Sequence, residues 1–151
     1  MSTDGPPPEL IARLAVLLKH TSLRYAEVAG AALEPYGIAG RELGVLTVLD
    51  SKEPLSQQQA AARLAIDRTT MVAMIDVLED KGLVARLPDP ADRRKNIVAL
   101  TPDGTRTLRA ATRASLAAER RFLAPLGADA QRLKDMLATL LTQPTEESRS
   151  R

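Results

Sequence analysis

Two short clusters of polar side chains have the composition that recognition of DNA requires. Arg93, Arg94 and Lys95 follow one another in a proline-bounded loop, and the segment 68–70 combines one guanidinium with two hydroxyls. These groups donate hydrogen bonds to phosphate oxygens, and an arginine also pairs with the edge of guanine. Neither a nucleophile with a base and an orienting group nor a glycine-rich phosphate loop is apparent. We therefore expect binding chemistry and no enzyme activity.

The composition of the 151 residues favours a small, mostly helical protein. Apolar residues make up 44% of the chain and aromatic residues only 2%, whereas strands draw on aromatic and β-branched side chains. Cysteine is absent and His20 is the only histidine, so we expect no metal and no cofactor. The start lacks the apolar core of a signal peptide, and no apolar run reaches the roughly 18 residues of a membrane span. We expect a cytoplasmic protein, whose net charge of +2 permits nucleic-acid binding without requiring it.

Apolar residues recur every three or four positions in six segments, and this periodicity predicts six helices. The first begins at Glu9 and is stopped by Pro35 and Gly37. Ser56 opens the third with the residue types of a capping box, and Asp67 is the expected N-cap of the fourth. The expected helices span residues 9–34, 41–51, 56–65, 68–81, 102–123 and 129–142.

The spacing of the central elements predicts a winged helix-turn-helix. The helices at 56–65 and 68–81 are so close in sequence that they must cross steeply. After Gly82, segments 83–87 and 96–100 can pair as two strands around a charged loop. The expected fold is mainly α with a small β wing. We place a winged helix-turn-helix DNA-binding domain at 38–101, a helical dimerisation region at 9–36 and 102–142, and disordered tails at 1–8 and 143–151.

The helix at 68–81 has the features of a recognition helix for the major groove. Its inward stripe begins at Met71, while Val72 and Ala73 on the other side can contact thymine methyl groups. The basic loop would reach a neighbouring minor groove, with Asp92 pairing with the Arg94 guanidinium. Residues 67–96 hold six basic and six acidic side chains, so charge alone favours a solvated turn. The order of cap, helix, hairpin and basic tip favours a DNA contact.

Several motifs at these positions resemble the MarR family of bacterial transcription regulators. Their combined spacing is highly specific, and the resemblance extends from about residue 9 to residue 142. The stretches that carry it are Asp67-Arg68-Thr69-Thr70, Leu78-Glu79-Asp80-Lys81-Gly82-Leu83-Val84, Asp92-Arg93-Arg94 and Leu100-Thr101-Pro102-Asp103-Gly104.

The resemblance implies a homodimer in which the first helix and the last two interlace. Such proteins usually repress pseudo-palindromic operators and release them when a small aromatic or phenolic ligand binds between the two regions. Asp92 and Arg94 match the family's D-x-R wing motif, so the resemblance sends Arg94 into the minor groove, with support from residues 56–58. Without cysteine, thiol-based peroxide sensing is excluded. The predicted DNA-contacting residues are Ser56, Gln57, Gln58, Arg68, Thr69, Thr70, Val72, Ala73, Arg93, Arg94 and Lys95.

Five residues are candidates for the wall of a ligand site, namely His20, Arg24, Tyr36, Met74 and Arg86. Each has a simpler explanation as well: His20 as a surface or interface histidine, Met74 as a core side chain, Arg86 as a phosphate contact or strand-edge charge. Independently of the resemblance, the long helices at 9–34 and 102–123 cannot bury their apolar stripes against a small winged domain, which predicts a dimer. The expected function is a dimeric DNA-binding repressor. The alternative is a winged-helix module that binds protein and has no specific DNA site.

Overall fold

The computed structural model describes residues 7–142, which contain seven α-helices, two short 3-10 turns and one two-stranded antiparallel sheet. The mainly α fold with a small β wing is confirmed. Strands β1 (Val84–Pro88) and β2 (Asn96–Leu100) form the wing. The helices are α1 (Pro8–Ile11), α2 (Leu14–Leu33), α3 (Gly40–Leu49), α4 (Gln57–Leu64), α5 (Arg68–Asp80), α6 (Pro102–Leu123) and α7 (Asp129–Thr142).

The first predicted helix is divided in two, because Arg13 adopts an extended conformation with ψ of 127°. Pro8 occupies the first turn of α1, and Arg13 becomes the N-cap residue of α2. No proline or glycine marks the break, so the apolar periodicity continues through it. The prediction of one helix from Glu9 was wrong there. Pro8 is also helical rather than part of a tail, and the predicted tails at 1–6 and 143–151 lie outside the described residues.

Local capping determines where α4 and α5 begin. The Ser56 hydroxyl accepts a hydrogen bond from the Gln59 amide (3.2 Å), and the Gln59 side chain accepts one from the Ser56 amide (2.8 Å), as the capping box predicts. Helix α4 ends at Leu64, and the next residue, Ala65, turns the chain sharply with a φ of 52°. Two residues later, the Asp67 carboxylate accepts from the Thr70 amide at 2.8 Å and caps α5.

The end of α5 sets the start of the wing. Gly82 adopts a left-handed conformation with φ of 72°, which a side chain would strain. Its amide donates to the Glu79 carbonyl (2.9 Å), and the Leu83 amide donates to the Leu78 carbonyl (3.0 Å), the two bonds of a Schellman motif. Leu83 therefore completes the helix end, and β1 begins one residue later than predicted. Strand β1 then pairs with β2 in the register Val84↔Leu100.

One hydrophobic core joins α2 through α6 with the wing. Leu33, Leu46, Ile75, Val98 and Leu108 are all buried in it, each from a different element. Helices α1 and α7 bury no residue. Near the far end of α6, two aromatic rings from α2 and α6 lie 5.3 Å apart. Among residues 7–142, no helix has both the length and the apolar character needed to cross a bilayer.

The first turn of α6 lies directly on the end of α5. The Thr101 hydroxyl accepts from the Gly104 amide (3.0 Å) and donates to the Gly82 carbonyl (2.6 Å). The Thr101 amide donates to the Leu83 carbonyl at 3.0 Å. A Cβ atom on Gly104 would lie 1.9 Å from that same carbonyl oxygen. Glycine at this position is therefore required by the close approach of two backbones.

Candidate nucleic-acid interface

The N-terminus of α5 is organised by Asp67. Its carboxylate accepts from both the amide and the hydroxyl of Thr70, the latter at 2.6 Å. These bonds, the hydroxyl first, hold the pKa of Asp67 below its ordinary value, so the group is ionised at neutral pH. Because Thr70 donates its hydroxyl proton to Asp67, the Thr70 oxygen faces solvent only as an acceptor. Arg68 and Thr69 remain exposed beside it.

One side of α5 opens into a groove that α4 and the wing complete. This reading groove has a volume of about 550 Å³. Six of the predicted DNA-contacting residues line it, from three separate elements: Ser56, Gln57, Gln58, Arg68, Val72 and Lys95. Asp89 and Asn96, which the sequence analysis did not select, line it as well. The structure thus brings together six of the eleven predicted DNA-contacting residues on one concave, polar surface.

The other side of α5 faces the start of α3. A crevice of about 520 Å³ separates the two helices, and Thr69, Thr70 and Ala73 line it together with Met74 and Val77. These three predicted DNA-contacting residues therefore lie on a different face of α5 from Arg68 and Val72. We call this space the α3–α5 crevice.

Two aspartates fold the loop at the tip of the wing. The Asp89 carboxylate accepts from the Ala91 amide (2.8 Å), and the Asp92 carboxylate accepts from the Arg94 amide (3.1 Å). The expected ion pair between Asp92 and the Arg94 guanidinium is not among the ion pairs of residues 7–142. Asp92 shapes the wing through the main chain instead, since its oxygens lie within reach of the amide. Arg93, Arg94 and Lys95 are all exposed.

Arg86 occupies the base of the wing and contacts α4 and α5 at once. Its guanidinium forms ion pairs with Asp76 (2.5 Å) and Glu79 (2.9 Å), and it donates two hydrogen bonds to Gln57. Partial burial lowers the pKa of Arg86, but hydrogen bonds and charge from Asp76 and Glu79 outweigh it and raise the pKa above its ordinary value. Arg86 was a candidate for the ligand site, with a phosphate contact or a strand-edge charge as the simpler explanation, and two carboxylates of the chain itself occupy its guanidinium.

Comparison with known proteins assigns this arrangement to a family. Residues 36–95 match the model of the MarR family. A putative transcriptional regulatory protein for the hcr operon of Thauera aromatica is 33% identical over 112 residues, covering 73% of this chain and 67% of that protein. The chain belongs to the MarR family. It is therefore a transcriptional regulator, as its sequence motifs predict.

Solved structures of MarR-family members share the fold over nearly the whole chain. CouR bound to a 23-mer DNA duplex is 34% identical, with a TM-score of 0.82, and covers 92% of this chain and 99% of its own. CouR from Rhodococcus jostii RHA1 bound to p-coumaroyl-CoA is 30% identical, with a TM-score of 0.78, and covers 92% and 98% of the two chains. CouR, a protein similar to this chain, has thus been solved both with DNA and with a small molecule bound.

The five predicted ligand-site residues do not converge on one cavity. Met74 lines the α3–α5 crevice, whereas none of the other four lines any of the cavities described here. His20 and Arg24 lie on α2, and Tyr36 belongs to a short 3-10 turn after it. A separate apolar cavity of about 320 Å³ lies between α2, α6 and α7, and the sequence analysis missed it because its walls come from distant segments.

Proposed function

We propose that this chain is a homodimeric repressor that places α5 in the major groove of DNA and the wing at a neighbouring minor groove. The reading groove carries the proposal: helix α4, helix α5 and the wing present Gln57, Arg68 and Lys95 to one concave surface. Its polar lining, with Arg68 on one side and Lys95 on the other, suits a phosphate backbone passing between recognition helix and wing. The exposed Arg93 and Arg94 extend the basic surface towards the minor groove. Such a regulator works in the cytoplasm, where it meets DNA.

The dimer is supported by apolar side chains that residues 7–142 of one chain leave exposed. Helix α7 buries none of its residues, although Leu140 is 63% exposed and Leu141 is 86% exposed. On α2, Leu14 and Leu23 are similarly exposed. Adjacent helices with unburied leucines require a partner surface. A two-fold axis through this region would set two recognition helices about one helical turn of DNA apart, roughly 34–36 Å.

We further propose that a small aromatic or phenolic ligand relieves repression by binding in the α3–α5 crevice. Met74 and Val77 give the crevice an apolar wall, and the Arg41 side chain adds a cation that suits a carboxylate or phenolate. A ligand held there lies against the recognition helix itself, so binding can alter how α5 meets DNA. The p-coumaroyl-CoA complex of CouR supports a ligand of this class.

Salt dependence tests the DNA-binding proposal. Affinity for a labelled duplex of the DNA flanking its own gene is measured by fluorescence anisotropy between about 50 and 200 mM salt. We expect log affinity to fall with log salt by about 0.9 for each phosphate neutralised. No binding, or an affinity that does not change with salt concentration, would favour the alternative of a winged-helix module that binds protein. Sedimentation velocity of the free protein tests the dimer, and a monomer at micromolar concentration would refute it.

A further inference from the structure

We propose that Arg86 is a positioning residue that turns the side-chain amide of Gln57 towards DNA, so that Gln57 donates to a phosphate. The inference rests on the proposed DNA binding and assigns a role to two residues at its centre. It replaces the two earlier readings of Arg86, in which its own charge meets a ligand or a phosphate.

The orientation of Gln57 follows from how its two polar ends are used. Arg86 Nε and Nη2 both donate to Gln57 Oε1, at 3.1 and 2.9 Å. A carboxamide whose oxygen is held by two donors presents its NH₂ group in the opposite direction. In the part of the chain that the structure describes, no hydrogen bond involves Gln57 Nε2, and no buried side-chain nitrogen or oxygen is left unpaired. The NH₂ group therefore faces the reading groove, which Gln57 lines beside Arg68.

The guanidinium can hold Gln57 because it is itself fixed on the opposite side. Asp76 and Glu79 of α5 accept from Nη2 and Nη1, and the second oxygen of Glu79 accepts from the Arg86 amide at 3.1 Å. With 24% of its side chain exposed, Arg86 has little freedom to leave this position. One planar group thus joins β1, α4 and α5, and its donors are directed at protein acceptors rather than at DNA.

A phosphate contact from a neutral amide has a recognisable signature. A hydrogen bond to a charged group is strong enough that Gln57→Ala should weaken binding about ten-fold or more. Because no cation is removed, the slope of log affinity against log salt should stay that of the wild type. Because phosphates carry no sequence information, the same fold-loss is expected on the DNA flanking its own gene and on an unrelated duplex of equal length.

A double-mutant cycle tests whether Arg86 acts through Gln57. Arg86→Ala, Gln57→Ala and the double variant are titrated with both duplexes, after sedimentation and thermal unfolding show folded dimers. We expect the double variant to bind no more weakly than Arg86→Ala alone, since Gln57 is already misdirected there. Losses that simply multiply would overturn the proposal, as would a Gln57→Ala variant that binds like the wild type. Wild-type protein that binds neither duplex would instead overturn the proposed function.

Gln57→Glu keeps the test open if Arg86→Ala fails to fold. A glutamate still accepts from Arg86, so thermal stability should be maintained, but it has no N–H to give to a phosphate. We expect this variant to lose DNA affinity at least ten-fold. The matched control is Ala62→Glu, which adds the same change of charge at an exposed position of α4 that does not line the reading groove. An equal loss in both variants would mean that charge alone matters and would overturn the proposal.

Discussion

Replacing Gly104 with alanine places a methyl group where the backbone of Leu83 already lies. The added Cβ would be 1.9 Å from the Leu83 carbonyl oxygen, and ordinary contact begins at 3.4 Å. The first turn of α6 must then move away from the end of α5 by about 1.5 Å, which is the kind of overpacking that costs about 1–3 kcal/mol. The movement also stretches the 3.0 Å hydrogen bond from the Thr101 amide to Leu83, whose loss costs about 1 kcal/mol.

Alanine has a higher helix propensity than glycine, and this offsets the destabilisation by at most about 1 kcal/mol. The net effect on the free energy of unfolding is then a loss of about 2 kcal/mol, and Tm should fall by about 4–8 °C. Thermal unfolding followed by circular dichroism measures this, with all proteins at one concentration because a dimer's Tm depends on it.

Gly44→Ala is the matched control for Gly104→Ala. It also lies inside a helix, but its added Cβ would meet nothing closer than the Leu64 side chain at 4.0 Å. We expect Gly44→Ala to raise the free energy of unfolding, by up to about 1 kcal/mol. A Gly104→Ala protein as stable as the wild type would refute the close-approach argument, because the two backbones could then separate freely.

Three further variants test the interface, the helix cap and the dimer. Arg94→Ala should weaken operator binding by about 1–3 kcal/mol and lower the slope of log affinity against log salt by about 0.9. The control is Arg106→Ala on α6, and an Arg94→Ala protein that binds as tightly as this control would reject the wing contact. Asp67→Asn removes a carboxylate whose pKa is lowered in the folded state. The stability that the wild type gains from this ionised group is complete above the unfolded pKa near 3.8, and it is lost as pH falls through the lower pKa of the folded state. Comparing Tm of both proteins from pH 7 to about pH 3 measures this, and a pH-independent difference would contradict it. Leu141→Glu should convert the dimer into a monomer in sedimentation velocity, whereas Thr139→Glu, at an exposed position on nearly the opposite side of α7, should not.

Truncating the C-terminal helices is a poorer test of the dimer than a point substitution in α7. Leu108 and Ala111 of α6 belong to the same buried core as Leu46 and Ile75. Removal of residues 102–142 would therefore unfold the winged domain along with any dimer contact. Leu141 on α7 is 86% exposed among residues 7–142, so a charge at this position perturbs a partner surface and leaves the core of the winged domain intact.

Elements whose ends are set by local hydrogen bonds could be predicted from the sequence. The capping groups of Ser56, Asp67 and Thr101 all act within three residues, and the helices they open begin within one residue of the predicted start. The break at Arg13 could not be predicted, because no local signal accompanies it. Leu83 was predicted to belong to the first strand. Its amide instead donates to the end of α5 and its carbonyl accepts from the start of α6, and the apolar pattern reveals neither bond.

Side-chain contacts between distant elements could not be predicted from the sequence. Arg86 was considered for a ligand or a phosphate, but its partners come from α4 and α5, up to 29 residues away. The five ligand-site candidates were chosen for their chemistry, yet only the fold decides which cavity a side chain lines. Met74 is the one that reaches a crevice beside the recognition helix.

The balance of charges between residues 67 and 96 acquires a different meaning in three dimensions. Six acidic side chains match six basic ones there, which by itself argues against a basic surface. Protein donors occupy the carboxylates of five of the six: Asp67 caps α5, Asp76 and Glu79 hold Arg86, and Asp89 and Asp92 fold the wing. Within residues 7–142, no ion pair involves Arg68, Arg93, Arg94 or Lys95, and all four are exposed. Because most of the acids are engaged by donors of the protein itself while these four bases are exposed and form no ion pair, a segment of zero net charge still offers cations to DNA.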